Sequence, residues 1–219
     1  MIQEKDLAEI TASILKNEGK NTEHKISQRY LVGVAGPPGA GKSTFAADLC
    51  RSVNEVASKH VAKVVPMDGF HLDNSRLEQM GLLHLKGIPD TFDKEGFEAL
   101  VTRLKTLPAE TIFFPVFDRS IEASIEDADS VGPDQPIVIL EGNYLFYWHQ
   151  IRNQLDLSIY IDAPEDILYE RLIARHLEGG KDTQSARDKV LSTDMPNRNL
   201  VQSCRDCANI FLDSAQGVF

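Results

Sequence analysis

Short apolar runs alternate along the chain with longer stretches in which apolar positions recur every three or four residues. Tyr30-Leu31-Val32-Gly33-Val34-Ala35, Ile137-Val138-Ile139-Leu140 and Leu157 to Ile161 are apolar and short, the pattern of strands buried on both faces. Val61 to Val65 is a further buried-strand candidate, Thr111 to Phe117 is β-rich, and Ile210-Phe211-Leu212 reads as a final strand. Between them lie helical spacings. Leu7, Ile10, Ile14 and Leu15 mark a helix over residues 3–17, and a second helical stretch runs from Lys42 to about Val56. Phe97, Leu100, Val101 and Leu104 share one face of a helix from Lys94 to Leu107. Pro164 opens another that Gly179-Gly180 stops at about Glu178. Gly19 to Ser27 is a polar connector, and residues 67–93, with Gly69, Gly81, Gly87 and Pro89, read as mostly irregular.

Strands alternating with helices predict an α/β fold: a mainly parallel sheet with helices on both faces, joined by right-handed crossovers. A length of 219 residues, 42% of them hydrophobic, suits one domain, with an N-terminal helix and connector over residues 1–28. There is no internal repeat and no low-complexity tract.

Charge narrows the class. The net charge of −10 argues against nucleic acid as a partner, because phosphate-backbone binders carry broad basic faces. A local basic pocket remains compatible with it. No apolar run approaches the ~20 residues of a membrane helix, and Met1-Ile2-Gln3-Glu4-Lys5-Asp6 lacks the apolar core of a signal peptide. Three cysteines, Cys50, Cys204 and Cys207, do not make a disulfide framework. The expected location is cytoplasmic.

The chemistry is carried by Gly36-Pro37-Pro38-Gly39-Ala40-Gly41-Lys42-Ser43, a full G-x-x-x-x-G-K-[ST] match followed by Thr44. A strand precedes it and a helix follows, as the phosphate-binding loop requires. The glycines let backbone N–H groups turn inward onto phosphate oxygens, and the positive end of the helix faces the same anion. Lys42 then reaches the β- and γ-phosphates of ATP, and Ser43 can ligate Mg²⁺.

Two carboxylates follow strand ends. Asp68 lies just past Val61–Val65, and in an open parallel sheet the strand C-termini line the ligand crevice. There it could orient an acceptor hydroxyl and take its proton; the plainer reading is a turn-forming Asp-Gly pair. Glu141 directly follows Ile137–Leu140, the Walker B arrangement in which the carboxylate helps hold Mg²⁺, directly or through water.

With these residues in place, the chain resembles the P-loop kinases that include uridine kinase, phosphoribulokinase and type I pantothenate kinase. The likeness extends from about Tyr30 to Leu212. Beyond the phosphate loop it rests on Met67-Asp68-Gly69-Phe70-His71, Gly87-Ile88-Pro89-Asp90-Thr91-Phe92-Asp93, Pro115-Val116-Phe117-Asp118-Arg119, Leu140-Glu141-Gly142-Asn143-Tyr144 and Ile161-Asp162-Ala163-Pro164-Glu165. Asp-Gly-Phe-His-Leu-Asp-Asn at 68–74 and Phe-Asp-Arg at 117–119 are most similar to a subgroup described as fructose-transport-associated or generic nucleoside/nucleotide kinases. The resemblance implies the three-layer P-loop NTPase fold, with an acceptor-site insertion at about 68–93 and a helical lid at about 171–200. It implies Mg-ATP as donor and a small-molecule hydroxyl acceptor. Asp68 would be the catalytic carboxylate. His71, Phe92, Asp93 and Arg119 would surround the acceptor, and Glu141 would lie beside metal and substrate. Arg171 and Arg175 would belong to the lid. A sugar or sugar-like acceptor is favoured, ahead of a nucleoside or a pantothenate-like one; related kinases form dimers or tetramers, so a homodimer is allowed.

Other features stay open. Arg171 and Arg175 share a helix face, and Lys181 and Arg187 follow; the interleaved Glu170, Glu178, Asp182 and Asp188 would suit a plain solvated face instead. Cys204-Arg205-Asp206-Cys207 lacks a second ligand pair for zinc and reads as structural, and His24, His60, His84, His149 and His176 show no metal spacing. Tyr144, Phe146, Tyr147 and Trp148 form either a core cluster or a wall of the acceptor pocket. Asp194-Met195-Pro196-Asn197 resembles the same subgroup without an evident mechanism. A regulatory P-loop ATPase or GTPase is the competing class, but the Asn-Lys-x-Asp element of guanine-specific GTPases is missing. A nucleic-acid-dependent ATPase is opposed by the charge and by the lack of an aromatic-basic groove pattern.

Overall fold

The computed structural model describes residues 3–23, 28–105 and 111–215. In chain order the elements are α1 (Glu4–Glu23), β1 (Tyr30–Ala35), α2 (Lys42–Ala57), β2 (Ala62–Pro66), α3 (Asn74–Gln79), α4 (Lys94–Lys105), β3 (Ile112–Asp118), β4 (Ala123–Val131), β5 (Ile137–Glu141), α5 (His149–Arg152), β6 (Leu157–Asp162), α6 (Glu165–Glu178), α7 (Thr183–Lys189), α8 (Met195–Gln202) and β7 (Ile210–Asp213). A π-helical turn, Val190–Asp194, joins α7 to α8.

Among the described residues, five strands form a sheet in the order β2-β5-β1-β6-β7, and every pairing in it is parallel. The continuous apolar runs are explained by burial on both faces. Leu31 and Ala35 of β1 face a cluster with Phe97, Leu100 and Leu104 of α4, Tyr144 and Trp148. Tyr30, Val32 and Val34, pointing the other way, face Ile10 and Ile14 of α1, Phe45 and Leu49 of α2, and Leu168 of α6. The mainly parallel, two-faced α/β architecture therefore stands as the pattern predicted. Among the described residues no helix is long and apolar enough to cross a membrane.

The strand order has a switch point at β1. The chain leaves it, skips over β5 to make β2, and later returns to β6 on the opposite side. The loops after β1, β2 and β5 consequently open at one edge of the sheet, and a crevice forms between them.

Three local expectations change. The first helix continues to Glu23, through Gly19, whose cost of about 1 kcal/mol a long helix absorbs; residues 24–27 of the expected connector, like residues 106 and 107 of the helix expected from Lys94 to Leu107, lie outside the described residues. The stretch 67–93 is not mostly irregular: it holds a 3-10 turn at Met67–Phe70, helix α3, and two further 3-10 turns. Finally β3 is one arm of an antiparallel hairpin whose other arm, β4, the hydrophobic pattern does not announce. Ala-Ser-Ile-Glu-Asp-Ala-Asp-Ser-Val is polar because β4 lies outside the main sheet, with its middle residues exposed.

The hairpin approaches the crevice through a glycine. A Cβ on Gly69 would collide with the carbonyl oxygen of Pro115 in β3. The Asp68 turn and the hairpin can therefore touch only because residue 69 has no side chain. Gly69→Ala is expected to destabilise the fold by about 1–3 kcal/mol, an overpacking cost, read as a lowered midpoint in urea unfolding; an unchanged midpoint would mean that the hairpin yields freely.

Candidate active site

The crevice encloses about 830 Å³ and brings together residues from the segments after β1, β2 and β5. Pro38, Lys42 and Ser43 come from the phosphate loop, Asp68 and His71 from the turn after β2, Glu141 and Asn143 from the end of β5. Arg119 enters from the hairpin and Arg175 from α6.

The loop is built to receive an anion. Gly41 caps α2 in a left-handed conformation, φ 87°, and offers no side chain to the first-turn amides, which also have no acidic neighbour in that turn. Those amides and the positive helix end face the crevice without a competing carboxylate cap. Lys42 is buried, and its Nζ donates to the Pro37 carbonyl at 2.8 Å. Burial pushes its pKa down to about 8, against the opposing attraction of Glu141 and Asp68.

Glu141 ends the buried strand β5 and is only 7% exposed. Its Oε1 accepts from Ser43 Oγ at 3.1 Å. Burial, and next the neighbouring Asp68, push its pKa up to about 7, although Lys42 draws it down. Ser43 and Glu141 offer two adjacent hard oxygen ligands, a set that fits Mg²⁺ completing its shell with phosphate oxygens and water. Asp68 Oδ2 pairs with the Arg119 guanidinium at 3.2 Å.

His71 sits between aromatic rings, with centroids 4.0 Å from Phe92 and 4.9 Å from Phe117. Its Nδ1 is 2.8 Å from the Asp68 carbonyl oxygen. A carbonyl cannot donate, so Nδ1 carries the proton and Nε2 is left as an acceptor. Burial lowers the pKa of the ring, favouring that neutral form.

A protein-family model described as "Phosphoribulokinase / Uridine kinase family" matches residues 31–217, most of the chain. The chain belongs to that family. A candidate uridine kinase of Schizosaccharomyces pombe is 32% identical over 188 residues, covering 81% of this chain and 80% of its own. The YggC protein of Escherichia coli is 34% identical over 193 residues, with coverage of 86% and 79%. The crystal structure of a candidate fructose transport system kinase from Silicibacter sp. TM1040 superposes with a TM-score of 0.83 at 36% identity, covering 94% of this chain and 98% of that one. The protein is accordingly a small-molecule kinase, a phosphotransferase with an alcohol acceptor.

Within this family member the remaining sequence-derived site residues divide. Arg175 lines the crevice; Arg171, one turn earlier on α6, is not among the lining residues. Arg171 instead donates to the Gly39 carbonyl at 3.3 Å and to the Ser214 hydroxyl and carbonyl at 3.1 and 2.9 Å, joining the phosphate loop to the end of β7. Phe92 lines the crevice, whereas Asp93 turns away: its Oδ1 accepts from the Gly96 amide at 3.1 Å and caps α4. Lys181 lines the crevice and Arg187 does not. Tyr144, Phe146 and Trp148 are core residues; Tyr144 and Trp148 back Phe92 at 5.6 and 6.1 Å between centroids.

Sequence reasoning missed Lys86, Asn143 and Lys189 as lining residues, and gave Asn197 no role. Asn197 Nδ2 donates to the Gly87 carbonyl at 3.0 Å, and Tyr144 Oη donates to the same oxygen. Asp194 pairs with His176 at 2.7 Å. The Asp194–Asn197 segment thus fastens the loop around Gly87 to the last turn of α6. Its π turn, the usual mark of a specialised site, was the available signal only in three dimensions.

The buried Glu141 gives a signed pH dependence. Its folded pKa, about 7, lies above the ordinary 4.5, so its ionised form destabilises the fold as pH rises from 4.5 to 7 and by a constant amount above. Glu141→Gln is expected to unfold at higher temperature than the parent at pH 8, by the equivalent of about 1–3 kcal/mol, with the difference fading toward pH 4. Equal melting at pH 8 would show that the carboxylate is accommodated ionised at no cost.

Proposed function

We propose that this kinase transfers the γ-phosphoryl group of Mg-ATP to a hydroxyl of a sugar or sugar-like metabolite. The observation that carries the reading is the convergence of Asp68 with Lys42, Ser43 and Glu141 in one crevice, at the mouth of an anion-binding loop. Phosphoryl transfer asks little covalent chemistry of a protein; positioning and charge stabilisation dominate.

The backbone N–H groups of Gly39 to Thr44 hold the nucleotide phosphates, within the loop that Gly36, Pro37 and Pro38 shape, and Ser43 with Glu141 would hold Mg²⁺, which would supply charge neutralisation. Lys42 leaves the Pro37 carbonyl for the β- and γ-phosphates. Asp68 orients the acceptor hydroxyl and takes its proton as the oxygen bonds to the γ-phosphorus and the bond to the ADP oxygen breaks. Arg119 donates to Asp68 Oδ2 and fixes its rotamer. Arg175 supplies positive charge from the lid, while Arg171 acts on the phosphate loop through Gly39. His71 and Phe92 border the acceptor, and Asp93 acts through the helix cap that places Phe92. The sugar preference rests on likeness to the subgroup that includes the Silicibacter protein.

Release of ADP from Mg-ATP across a panel of sugars, polyols, nucleosides and pantothenate tests the reading: stimulation by a sugar or polyol is expected, and stimulation by none of the panel, with steady acceptor-free release, would favour a regulatory ATPase. Asp68→Asn is expected to cut stimulated turnover by at least about 100-fold, the low end for a positioned base, with Mg-ATP affinity nearly intact. Arg175→Ala should lower kcat at unchanged stability, whereas Arg171→Ala should lower the melting temperature and Mg-ATP affinity together; indistinguishable variants would dissolve that division of roles.

A further inference from the structure

Cys204-Arg205-Asp206-Cys207 reads as structural from its spacing alone, and no step of phosphoryl transfer uses it. Three-dimensional structure puts both cysteines on one hydrogen-bonded turn. Arg205–Cys207 is a 3-10 turn with Cys204 at its N-terminal boundary, and the Cys207 amide donates to the Cys204 carbonyl at 3.1 Å. Residues three apart on such a turn stand on the same side of it. A turn closed in this way keeps its end Cα atoms within about 7 Å, and disulfides bridge Cα separations of about 4.4–6.8 Å. Both thiols are free.

The two thiols differ in kind. Cys207 is exposed, whereas Cys204 is half-buried and packs against the cluster that contains Tyr160 and Val201. Cys207 Sγ accepts from Nη1 of Arg152, in α5, at 3.1 Å. A cysteine attacks as its thiolate, and a guanidinium on the sulfur supplies the counter-charge. Cys50 offers the contrast: it stands alone on α2, half-buried, with its Sγ donating to the Ala62 carbonyl at 3.3 Å. The 204–207 turn is anchored at both ends without help from a covalent bond. The Cys204 amide donates to the Val201 carbonyl at 3.1 Å, and Asn209 exchanges two hydrogen bonds with the backbone of Ser158, at 2.8 and 2.9 Å. The turn joins α8, whose neighbour Asn197 holds Gly87, to β7, after which Ser214 receives Arg171.

We propose that Cys204 and Cys207 form a reversible redox site, which closes to a disulfide across the joint between α8 and β7. The oxidant is a low-molecular-weight disulfide, RSSR. The Cys207 thiolate attacks one sulfur of RSSR; the S–S bond breaks and RS⁻ leaves, taking up the proton that Cys207 gave up. The Cys204 thiolate then attacks the Cys207 sulfur of the mixed disulfide and displaces a second RS⁻, which takes up the proton from Cys204. Two protein thiols and one RSSR give one protein disulfide and two RSH, so the protein loses two electrons and two protons and RSSR gains them. Arg152 faces the attacking sulfur, and Cys204 is the resolving thiol. Because the turn exists before the bond closes, the crevice keeps its shape in both states, and the bond acts mainly by constraining the unfolded chain.

The test equilibrates the folded full chain, without air, in glutathione buffers from fully reduced to fully oxidised, quenches with acid, alkylates in denaturant and maps the peptides by mass. In oxidised glutathione the peptide carrying Cys204 and Cys207 is expected to lose two hydrogens, with no glutathione attached, and to regain them in dithiothreitol. Alkylatable thiols should fall from three to one, the one being Cys50. Cys204→Ser should trap glutathione on Cys207, and Cys207→Ser should leave Cys204 reduced over the same interval. Arg152→Gln should slow the reaction of Cys207 about tenfold, through the lost counter-charge. Closing the bond should raise the melting temperature by about 2–6 °C and change Mg-ATP affinity by less than about twofold, with neither cysteine variant showing the rise. Glutathione held on Cys207 of the parent without closure overturns the proposal. Disulfide-linked dimers, closure only in denaturant, or the same melting temperature in both states would do so equally.

Discussion

The structure depends on two opposite charges held out of water at the ends of neighbouring parallel strands. Lys42 follows β1 and Glu141 ends β5, and burial disfavours the ionised form of each. A fold optimised for stability alone would not bury them together beside Asp68. The sheet keeps them there because β1 and β5 are registered residue by residue, Val34 against Glu141, with both faces packed. The rigid sheet fixes the backbone, and local charge strain is tolerated at its edge. An incoming polyanion and divalent cation would relieve that strain, since each supplies the counter-charge that burial denies.

Around this pair the periphery is assembled by contacts between distant segments. Gly69 admits the β3–β4 hairpin, and the hairpin carries Arg119 to Asp68. Lys189 and Asn197, from beyond α6, donate to the carbonyls of residues 84, 86 and 87 and so hold the loop that leads to Phe92. The segment after α6 and that loop are therefore bonded to each other, and not only to the sheet.

The two arginines of α6 show how a single helix face can serve different ends. A spacing of four places Arg171 and Arg175 on one side of the helix. One turn of rise separates them, and the end of β7 lies only beside the first. Ser214 captures Arg171 there, while Arg175 projects over the crevice. Asp93 illustrates the same limit: it stands next to a crevice residue but its carboxylate is taken by the amide of Gly96.

By itself the sequence determined the parallel sheet, its two-faced burial, the phosphate loop, and Asp68 and Glu141 at strand ends. These are local signals, carried by runs of four to eight residues whose chemistry admits few alternatives. Tertiary structure alone decided the hairpin arm β4, whose polar residues look like a loop until a partner strand supplies its hydrogen bonds. It decided that Tyr144, Phe146 and Trp148 of the aromatic cluster after Glu141 are core while Tyr147 is exposed, and which arginine reaches the crevice. It also decided that His71 presents Nε2 and that Lys86 and Lys189 donate to Asn74 and to backbone carbonyls of distant segments. Those outcomes depend on hydrogen bonds between residues as much as 132 positions apart, as for Arg171 and Gly39. Residue type and spacing carry no information about such partners, because long-range pairing is set by how the packed elements close on one another.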